Sequence, residues 1–591
     1  MTEFPLLLLC LFCGATVCRA GIFTAPEQIS TSSYDFIVVG AGTAGAVVAS
    51  RLSENPSTTV LLIEAGGLDN GTDSAVLSIP FLAGQAIGTT FDWNYTTTSQ
   101  DGLNGRTMPF PRGFVMGGSS SINNLVYSRG PSEDWDRIAA TADDPSWSWD
   151  NIQPFIFRNE RHVPAWNNRS DVGEYNPVVH GHGPLMSSLT STPSELDHRV
   201  INMTTKFGQE YPFNLDLNSG WLQTTVGESA RSSSSTAYLH PALNSRENLD
   251  LLLNTQVTKL TVTGAAEMNV NGVIVAQNET AVAFTFIATK EIILSAGAIG
   301  TPQILLLSGI GPSEELDKNG ITTLVDSPDV GKNMQDQPII FLQWEVNGTT
   351  LAPFLNDEDA ISAVLEQYEQ NKTGIAASNV LFNTIGFLRL PENSPLLEEY
   401  GDPSAGPHSA HFQFSFIDTF LQNINQVAPT TGDWITVSVV LQSPTSRGSV
   451  TLASNSAFDH PLIDPAFLTS AFDIGTVIEA VKSLQTLLTT STWDGFIGPP
   501  FTGNLTTDAE IETFVRAAAV TLKHPVGTAA ISSATQEGGV VGPNLQVKGV
   551  TGLRVVDASI FPFAVGGFPQ AEVYIVAERA SALIKETWNL S

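Results

Sequence analysis

A chain of 591 residues is too long for one ordinary hydrophobic core, so two or three domains are expected, and 42% hydrophobic with 15% charged residues marks them as globular rather than disordered. The net charge of -32 makes a surface that repels nucleic acid and anionic lipid and suits a small neutral or cationic substrate better.

Residues 4–18, FPLLLLCLFCGATVC, form an apolar run too short to span a bilayer, and small residues follow at Cys18-Arg19-Ala20. This predicts a secretory signal over residues 1–20 and an extracellular mature protein, with a short N-terminal membrane anchor as the alternative, since Glu3 stands where a signal would carry Lys or Arg. No later segment stays apolar long enough to cross a membrane, so no membrane partner is expected. Cys10, Cys13 and Cys18 all lie in that leader, so the mature chain is predicted to lack disulfides, thiolate nucleophiles and cysteine metal sites. Sequons beginning at Asn70, Asn94, Asn168, Asn202, Asn278, Asn347, Asn371, Asn504 and Asn589 suit a glycosylated secreted protein.

Tyr34-Asp-Phe-Ile-Val-Val39 has the β-branched and aromatic content of a buried parallel strand and runs straight into Gly40-Ala-Gly42-Thr-Ala-Gly45. A helix is predicted over Ala46 to Leu52, then a second apolar strand, Thr59 to Ile63, ending in Glu64. In this context G-x-G-x-x-G is a dinucleotide fingerprint. Its glycines permit the turn and the approach of a pyrophosphate to the helix N-terminus, and Glu64 can accept from the ribose hydroxyls while repelling a 2′-phosphate. The unit alone does not separate FAD from NAD.

Further along lie Gly117-Gly118-Ser-Ser-Ser-Ile-Asn123, Gly297-Ala-Ile-Gly-Thr-Pro-Gln-Ile-Leu-Leu-Leu-Ser-Gly-Ile-Gly311, Val330-Gly-Lys-Asn-Met-Gln-Asp336 and Gly552-Leu-Arg-Val-Val-Asp-Ala-Ser-Ile-Phe-Pro562. With the fingerprint, these resemble the glucose-methanol-choline (GMC) flavoprotein oxidoreductases from about Asp35 to Lys585. Phe91-Asp-Trp-Asn-Tyr95, Arg231-Ser-Ser-Ser-Ser-Thr-Ala-Tyr238 and His524-Pro-Val-Gly look most like fungal aryl-alcohol oxidases.

The resemblance implies FAD, and an α/β plus α+β architecture: a Rossmann-type FAD-binding domain with a substrate-binding domain built on an antiparallel sheet. The first would be assembled from residues 33–90, 230–330 and 520–591, the second mainly from 91–229 and 331–519. Phe354 to Asn425 reads as irregular, either a mobile loop region over a pocket entrance or an ordinary surface excursion. Cofactor contacts are implied at Gly40, Gly42, Thr43, Ala44, Gly45, Glu64, Gly118, Ser119, Asn123, Val257, Asp557 and Ala558. Some relatives tether the flavin through His or Cys near the first signature. Asn123 stands there, no histidine lies between Ile63 and Glu160, and the mature chain has no cysteine, so FAD is expected to be non-covalent.

Oxidising an alcohol on a flavin needs a base for the hydroxyl proton, and neutral imidazole suits because its pKa lies near working pH. The family places a histidine in the motif matched by His524, and a second His or Asn before the C-terminal helix. None of the nine histidines follows His524; the second position falls on Phe568, or on Gly566 if the register slips by two. Neither carries a proton. His524 is therefore the expected catalytic base, with Phe568 a pocket wall and Gln570, Asn123, Asn124 or a water replacing the missing partner. Alternatively, hydride transfer has been abandoned and the protein is an FAD-containing lyase or cyclase, or an inactive flavin-binding protein.

Tyr95 is expected beside the substrate through its motif, although Trp93 and Tyr95 alternate as packed strand residues would. Lys523 should point away from the site if the chain is extended there. His180 and His182 lack a third ligand, so no metal is expected; His408 and His411 suit a surface or core role better than the pocket. Phe114 and Gln337 stand where relatives often carry a basic residue and a histidine. The reading that results is a monomeric, secreted oxidoreductase oxidising aryl or other conjugated primary alcohols, reoxidised by O2 or quinones. A sugar dehydrogenase using quinones would want a more polar pocket than Phe568 offers.

Overall fold

The computed structural model describes residues 21–70, 74–215, 219–264, 268–379, 382–424 and 426–590. The predicted leader and its cysteines lie outside the described residues. Among those described, no helix is long and apolar enough to cross a membrane.

The first of two large sheets is mostly parallel. Its strands run in the order Ile22–Phe23, Leu249–Leu252, Val60–Ile63, Ser33–Val39, Phe284–Leu294, Asn269–Ala276 and Gln256–Thr263, with Leu553–Val555 also pairing to Phe284–Leu294. The central strands are Ser33–Val39 and Val60–Ile63; Phe36 to Val39 and all of Val60–Ile63 are continuous buried apolar runs because both faces are covered there, as a parallel sheet requires. The intervening helix is Thr43–Leu52, beginning three residues earlier than the sequence suggested, and the long C-terminal helix is Gln570–Thr587. Arg51 of the first reaches the fully buried Glu578 of the second at 2.7 Å, fixing the two helices side by side.

The second sheet is antiparallel, in the order Ile497–Pro500, Pro338–Val346, Asp433–Leu441, Phe412–Ile417, Phe382–Leu388 and Ser219–Trp221, and Val520–Thr521 adds to Pro338–Val346. Its alternation decides its two faces. Phe412, Phe414 and Phe416 with Ile435, Val437, Val439, Ile340 and Leu342 form one core with the helix Ala471–Leu488. Each such side chain contributes about 1.5–3 kcal/mol of burial. The opposite face carries Gln413, Ser415, Ile417, Ser438, Val440, Ile339 and Phe341, and it looks toward the first sheet.

The stretch from Phe354 to Asn425 is not irregular. It contains helices Glu358–Asn371 and Pro395–Tyr400 and two strands of the second sheet. The alternation FQFSFI was masked by the surrounding Asn, Pro and Gly, and pairing with Asp433–Leu441 overrode that local composition.

Candidate active site

A cavity of about 560 Å³ lies between the two sheets. On one side it is walled by the strand ends and glycine turns of the parallel sheet. On the other lies the polar-and-apolar face of the antiparallel one.

The turn at Gly40–Gly45 is built as its glycines dictate. Gly40 has φ +96°, and a Cβ on Gly45 would lie 1.9 Å from the Gly40 carbonyl oxygen, so Gly45 serves helix–strand packing rather than the cavity wall. Gly42 is different: a Cβ there would meet only Gly118 Cα, at 3.8 Å, and would otherwise project into the cavity. Gly118, at φ +53°, closes the same cradle, and Thr43, Ala44, Ser119 and Asn123 line it with them. Val257, Asp557 and Ala558 line it as well.

Glu64 sits at the end of Val60–Ile63 and accepts from the backbone N–H groups of Ala41 and Gly66, each at 2.8 Å. Burial pushes its carboxyl up to about 7, with these two donors opposing the shift. Asp557 ties the C-terminal segment to the helix Gly297–Leu307: Oδ2 accepts from Gly297 N and Thr301 Oγ1, and Oδ1 from Ser559 N and Oγ. Free helix N-terminal amides and side-chain-free approaches at Gly42 and Gly118 suit a dinucleotide pyrophosphate, and Glu64 suits a ribose. No group of His, Cys, Asp and Glu among the described residues could hold a metal ion.

His524 is the sole histidine lining the cavity among the described residues. Its backbone N–H donates to Asp336 Oδ1 at 2.8 Å, and Asp336 also accepts from Thr521 Oγ1 and Gln337 N, so one buried carboxylate shapes the whole turn. Its Nδ1 lies 2.7 Å from Gln337 Oε1, leaving Nε2 available to the cavity. Burial, then the charges of Arg112 and Lys523, hold the imidazole well below its ordinary pKa.

Lys523 does not point away. Its φ of +70° breaks the extended chain on which that expectation rested, and Lys523 lines the cavity next to His524. Its carbonyl accepts from Arg112 Nη2 at 2.6 Å.

Phe568, not Gly566, is the neighbour of His524. The two rings meet edge to face with centroids 5.1 Å apart, and Phe568 packs with Val126, Leu222 and Ile385. Gly566 instead donates its N–H to Asp134 Oδ2 and does not line the cavity. Of the proposed replacements for a second polar group, Asn123 and Gln570 are hydrogen-bonded to each other, and Asn123 Oδ1 also accepts from Arg231 and from Leu125 N. Both line the cavity, as does Asn124. Burial brings Arg231 down to about 9.

Tyr95 lines the cavity with Trp93, their rings stacked 5.4 Å apart, yet it is buried and His460 packs on it, so it serves both core and wall. His180 is engaged by Glu160, which also pairs with Arg129. His411 is buried against Leu390 N and Asp402, and His408 is exposed; neither lines the cavity. Sequence reading missed Gln413, Ser415 and Ser438, the cavity's polar floor. Their signal was present: polar residues at alternate positions of otherwise apolar strands, FQFSFI and DWITVSVVL.

Models of the GMC oxidoreductase family match residues 34–339 and 444–577. The chain belongs to the GMC oxidoreductase family. It is 38% identical over 586 residues to pyranose dehydrogenase 2 of Leucoagaricus meleagris, with 95% of each chain covered. It is 36% identical over 598 residues to dehydrogenase eriK of Hericium erinaceus, with 97% of each covered. Among solved structures, formate oxidase superposes with a TM-score of 0.85 at 29% identity, covering 94% of this chain and 99% of the other. A fungal aryl-alcohol oxidase, at 23% identity, TM-score 0.81 and 95% and 100% coverage, shares the fold. This GMC oxidoreductase is thus an FAD-binding enzyme acting on CH–OH groups of alcohols or sugars. The glycine cradle and Glu64 fit that cofactor.

Proposed function

We propose that this oxidoreductase is secreted and oxidises aryl or other conjugated primary alcohols to aldehydes, with His524 as the general base. The observation that carries the reading is His524 itself: a neutral imidazole whose Nδ1 is engaged by Gln337 and whose Nε2 opens on the cavity. Nε2 takes the hydroxyl proton, and the C–O bond gains its second bond as hydride leaves the same carbon. FAD, when bound, supplies the two-electron acceptor for that hydride, and O2 or a quinone takes the electrons onward. Phe568, Phe341 and Phe382 offer apolar surface against which a flat, conjugated substrate packs and from which water is excluded. Glu64, Gly42, Gly118 and Asp557 would hold the cofactor, non-covalently, since Asn123 and not histidine stands at the tethering position. The apolar leader run and the sequons support secretion.

A second reading, oxidation of a pyranose, is favoured by the polar floor, the amide of Gln413 and the hydroxyls of Ser415 and Ser438, and by the pyranose dehydrogenases among the relatives. The test is to mix FAD-loaded enzyme anaerobically with benzylic, allylic and sugar alcohols and follow the oxidised flavin band. Bleaching by benzylic or allylic alcohols supports the first reading, and bleaching by sugars alone supports the second. No bleaching by any of them, with dithionite still effective, would reject both in favour of non-redox chemistry.

A further inference from the structure

A chain of buried amides leads from His524 to the cavity floor, and its directions are fixed by main-chain groups. The Nε2 of Gln337 faces three oxygens: Gln442 O at 3.0 Å, Val565 O at 3.2 Å and Gln442 Oε1 at 3.2 Å. Main-chain carbonyls only accept, so this end of Gln337 is the NH2 and the end toward His524 is the carbonyl. The imidazole nitrogen 2.7 Å from that carbonyl must then carry the hydrogen.

Gln442 is oriented independently. Its Oε1 accepts from Gly567 N at 2.7 Å, an obligate donor, so its Nε2 donates to Gln413 Oε1 at 2.8 Å, and Gln413 Nε2 donates in turn to Ser415 Oγ at 2.8 Å. Gln337, Gln442 and Gln413 are at most 1% exposed, so water does not compete for these bonds. All the donors run one way, from the imidazole to the floor, an arrangement in which successive bonds polarise one another.

We propose that Gln337, held by Gln442, is a positioning residue that fixes His524 as the Nδ1–H tautomer and so reserves Nε2 for the substrate hydroxyl. The proposal rests on the reading of His524 as base. A neutral amide does here what a carboxylate does in a serine hydrolase triad, with one difference: it orients the ring without stabilising the imidazolium. The charges acting on the ring, Arg112 and Lys523, are both positive; of the carboxylates near them, Asp336 is occupied by the backbone N–H of His524, by Thr521 and by Gln337 N, and Asp92 accepts from the backbone N–H of Arg112. The same amides grip Val565 O and Gly567 N, so the loop carrying Phe568 and the base share one anchor.

The test uses FAD-loaded enzyme labelled with 15N-histidine, the His524 signals being assigned by their loss in His524→Ala. The wild type should show a protonated Nδ1 and a bare Nε2. Gln337→Leu should mix the tautomers and slow anaerobic flavin reduction by about tenfold or more, with flavin retained. Gln337→Glu keeps an acceptor of the same shape. Its second oxygen faces the carbonyls of Gln442 and Val565, so it should stand there as the acid, donate where the NH2 did, preserve the tautomer and restore the rate lost in Gln337→Leu. A bare Nδ1 in the wild type, or a wild-type rate in Gln337→Leu, would overturn the proposal. If His524→Ala itself reduced flavin at the wild-type rate, the reading of His524 as base would fall first, and the catalytic purpose of Gln337 with it, even with Nδ1–H observed.

Discussion

Asp557→Asn changes one atom and should unpick the junction between the two segments that close the cofactor side of the cavity. The Asp557 carboxylate is 3% exposed and receives four hydrogen bonds, from Gly297 N at 2.9 Å, Thr301 Oγ1 at 2.6 Å, Ser559 N at 2.8 Å and Ser559 Oγ at 2.5 Å. Each oxygen faces one main-chain N–H and one hydroxyl. The hydroxyls can rotate to donate elsewhere or to accept; the two N–H groups cannot. Whichever way an asparagine is turned, its NH2 confronts one of those N–H groups. That leaves a buried donor unpaired, at about 1–3 kcal/mol, and weakens the opposite bonds from charge-assisted to neutral, so the total loss is about 2–5 kcal/mol. Because Gly297 N is the first free amide of the helix Gly297–Leu307, the loss falls on the cavity wall itself. The assay is the urea midpoint together with the flavin retained through gel filtration. A lower midpoint and partial flavin loss are expected; an unchanged midpoint with full flavin would show that the junction does not depend on the carboxylate.

Replacing His524 by alanine should slow flavin reduction by about 10²- to 10⁴-fold with FAD still bound, read by stopped flow. Since burial and the neighbouring positive charges lower the His524 pKa, the wild-type base stays unprotonated as pH falls through 6.5, and the reduction rate should decline only below that; a midpoint above 6.5 would contradict the electrostatics. Gly42→Ala and Gly45→Ala should fail differently. A Cβ at Gly42 finds open cavity and should leave the fold intact while blocking FAD, whereas one at Gly45 lies 1.9 Å from a carbonyl oxygen and should prevent folding, distinguishable by circular dichroism and flavin titration. Phe568→His puts a proton-carrying ring edge-on to His524, and faster turnover of small alcohols is expected if the position lacks only that group; no gain means that the wall, not a missing partner, is what the site needs.

The nucleotide side of the molecule was legible because its chemistry is local. Gly40, Gly42 and Glu64 sit within one strand–turn–helix–strand unit, and steric demands of a tight turn leave their mark in consecutive residues. His524 was legible through its motif, and Phe568 as a departure from a pattern. The cavity floor was not. Gln413, Ser415 and Ser438 come together only when two strands pair across the fifteen residues between Ile417 and Asp433, and the choice of which face of FQFSFI turns inward depends on the helix Ala471–Leu488, which claims the phenylalanines. Lys523 was misjudged for a smaller reason. A single positive φ, sustained by Thr521 accepting from Lys523 N, reverses the alternation that an extended chain would keep.

The absence of a second His or Asn at the position of Phe568 is better understood as part of a different arrangement than as a plain loss. On the proposed reading the substrate alcohol has one hydroxyl proton to give, and one unprotonated Nε2 suffices to receive it. What such a base cannot tolerate is the wrong tautomer or a stable imidazolium. The surroundings of His524 answer both needs with neutral or positive groups: Gln337 fixes the hydrogen on Nδ1, and Arg112 and Lys523 oppose a positive charge on the ring. Phe568 adds no competing donor or acceptor, and its edge-on contact, with its backbone held through Gly567 N, keeps the ring from turning. A histidine introduced there would bring a second titrating group into that field, and the pH dependence of the two rings would become joint. The amides at 337 and 442 and the phenylalanine at 568 therefore belong to one solution, and a gain of function at any one of them should depend on what stands at the others.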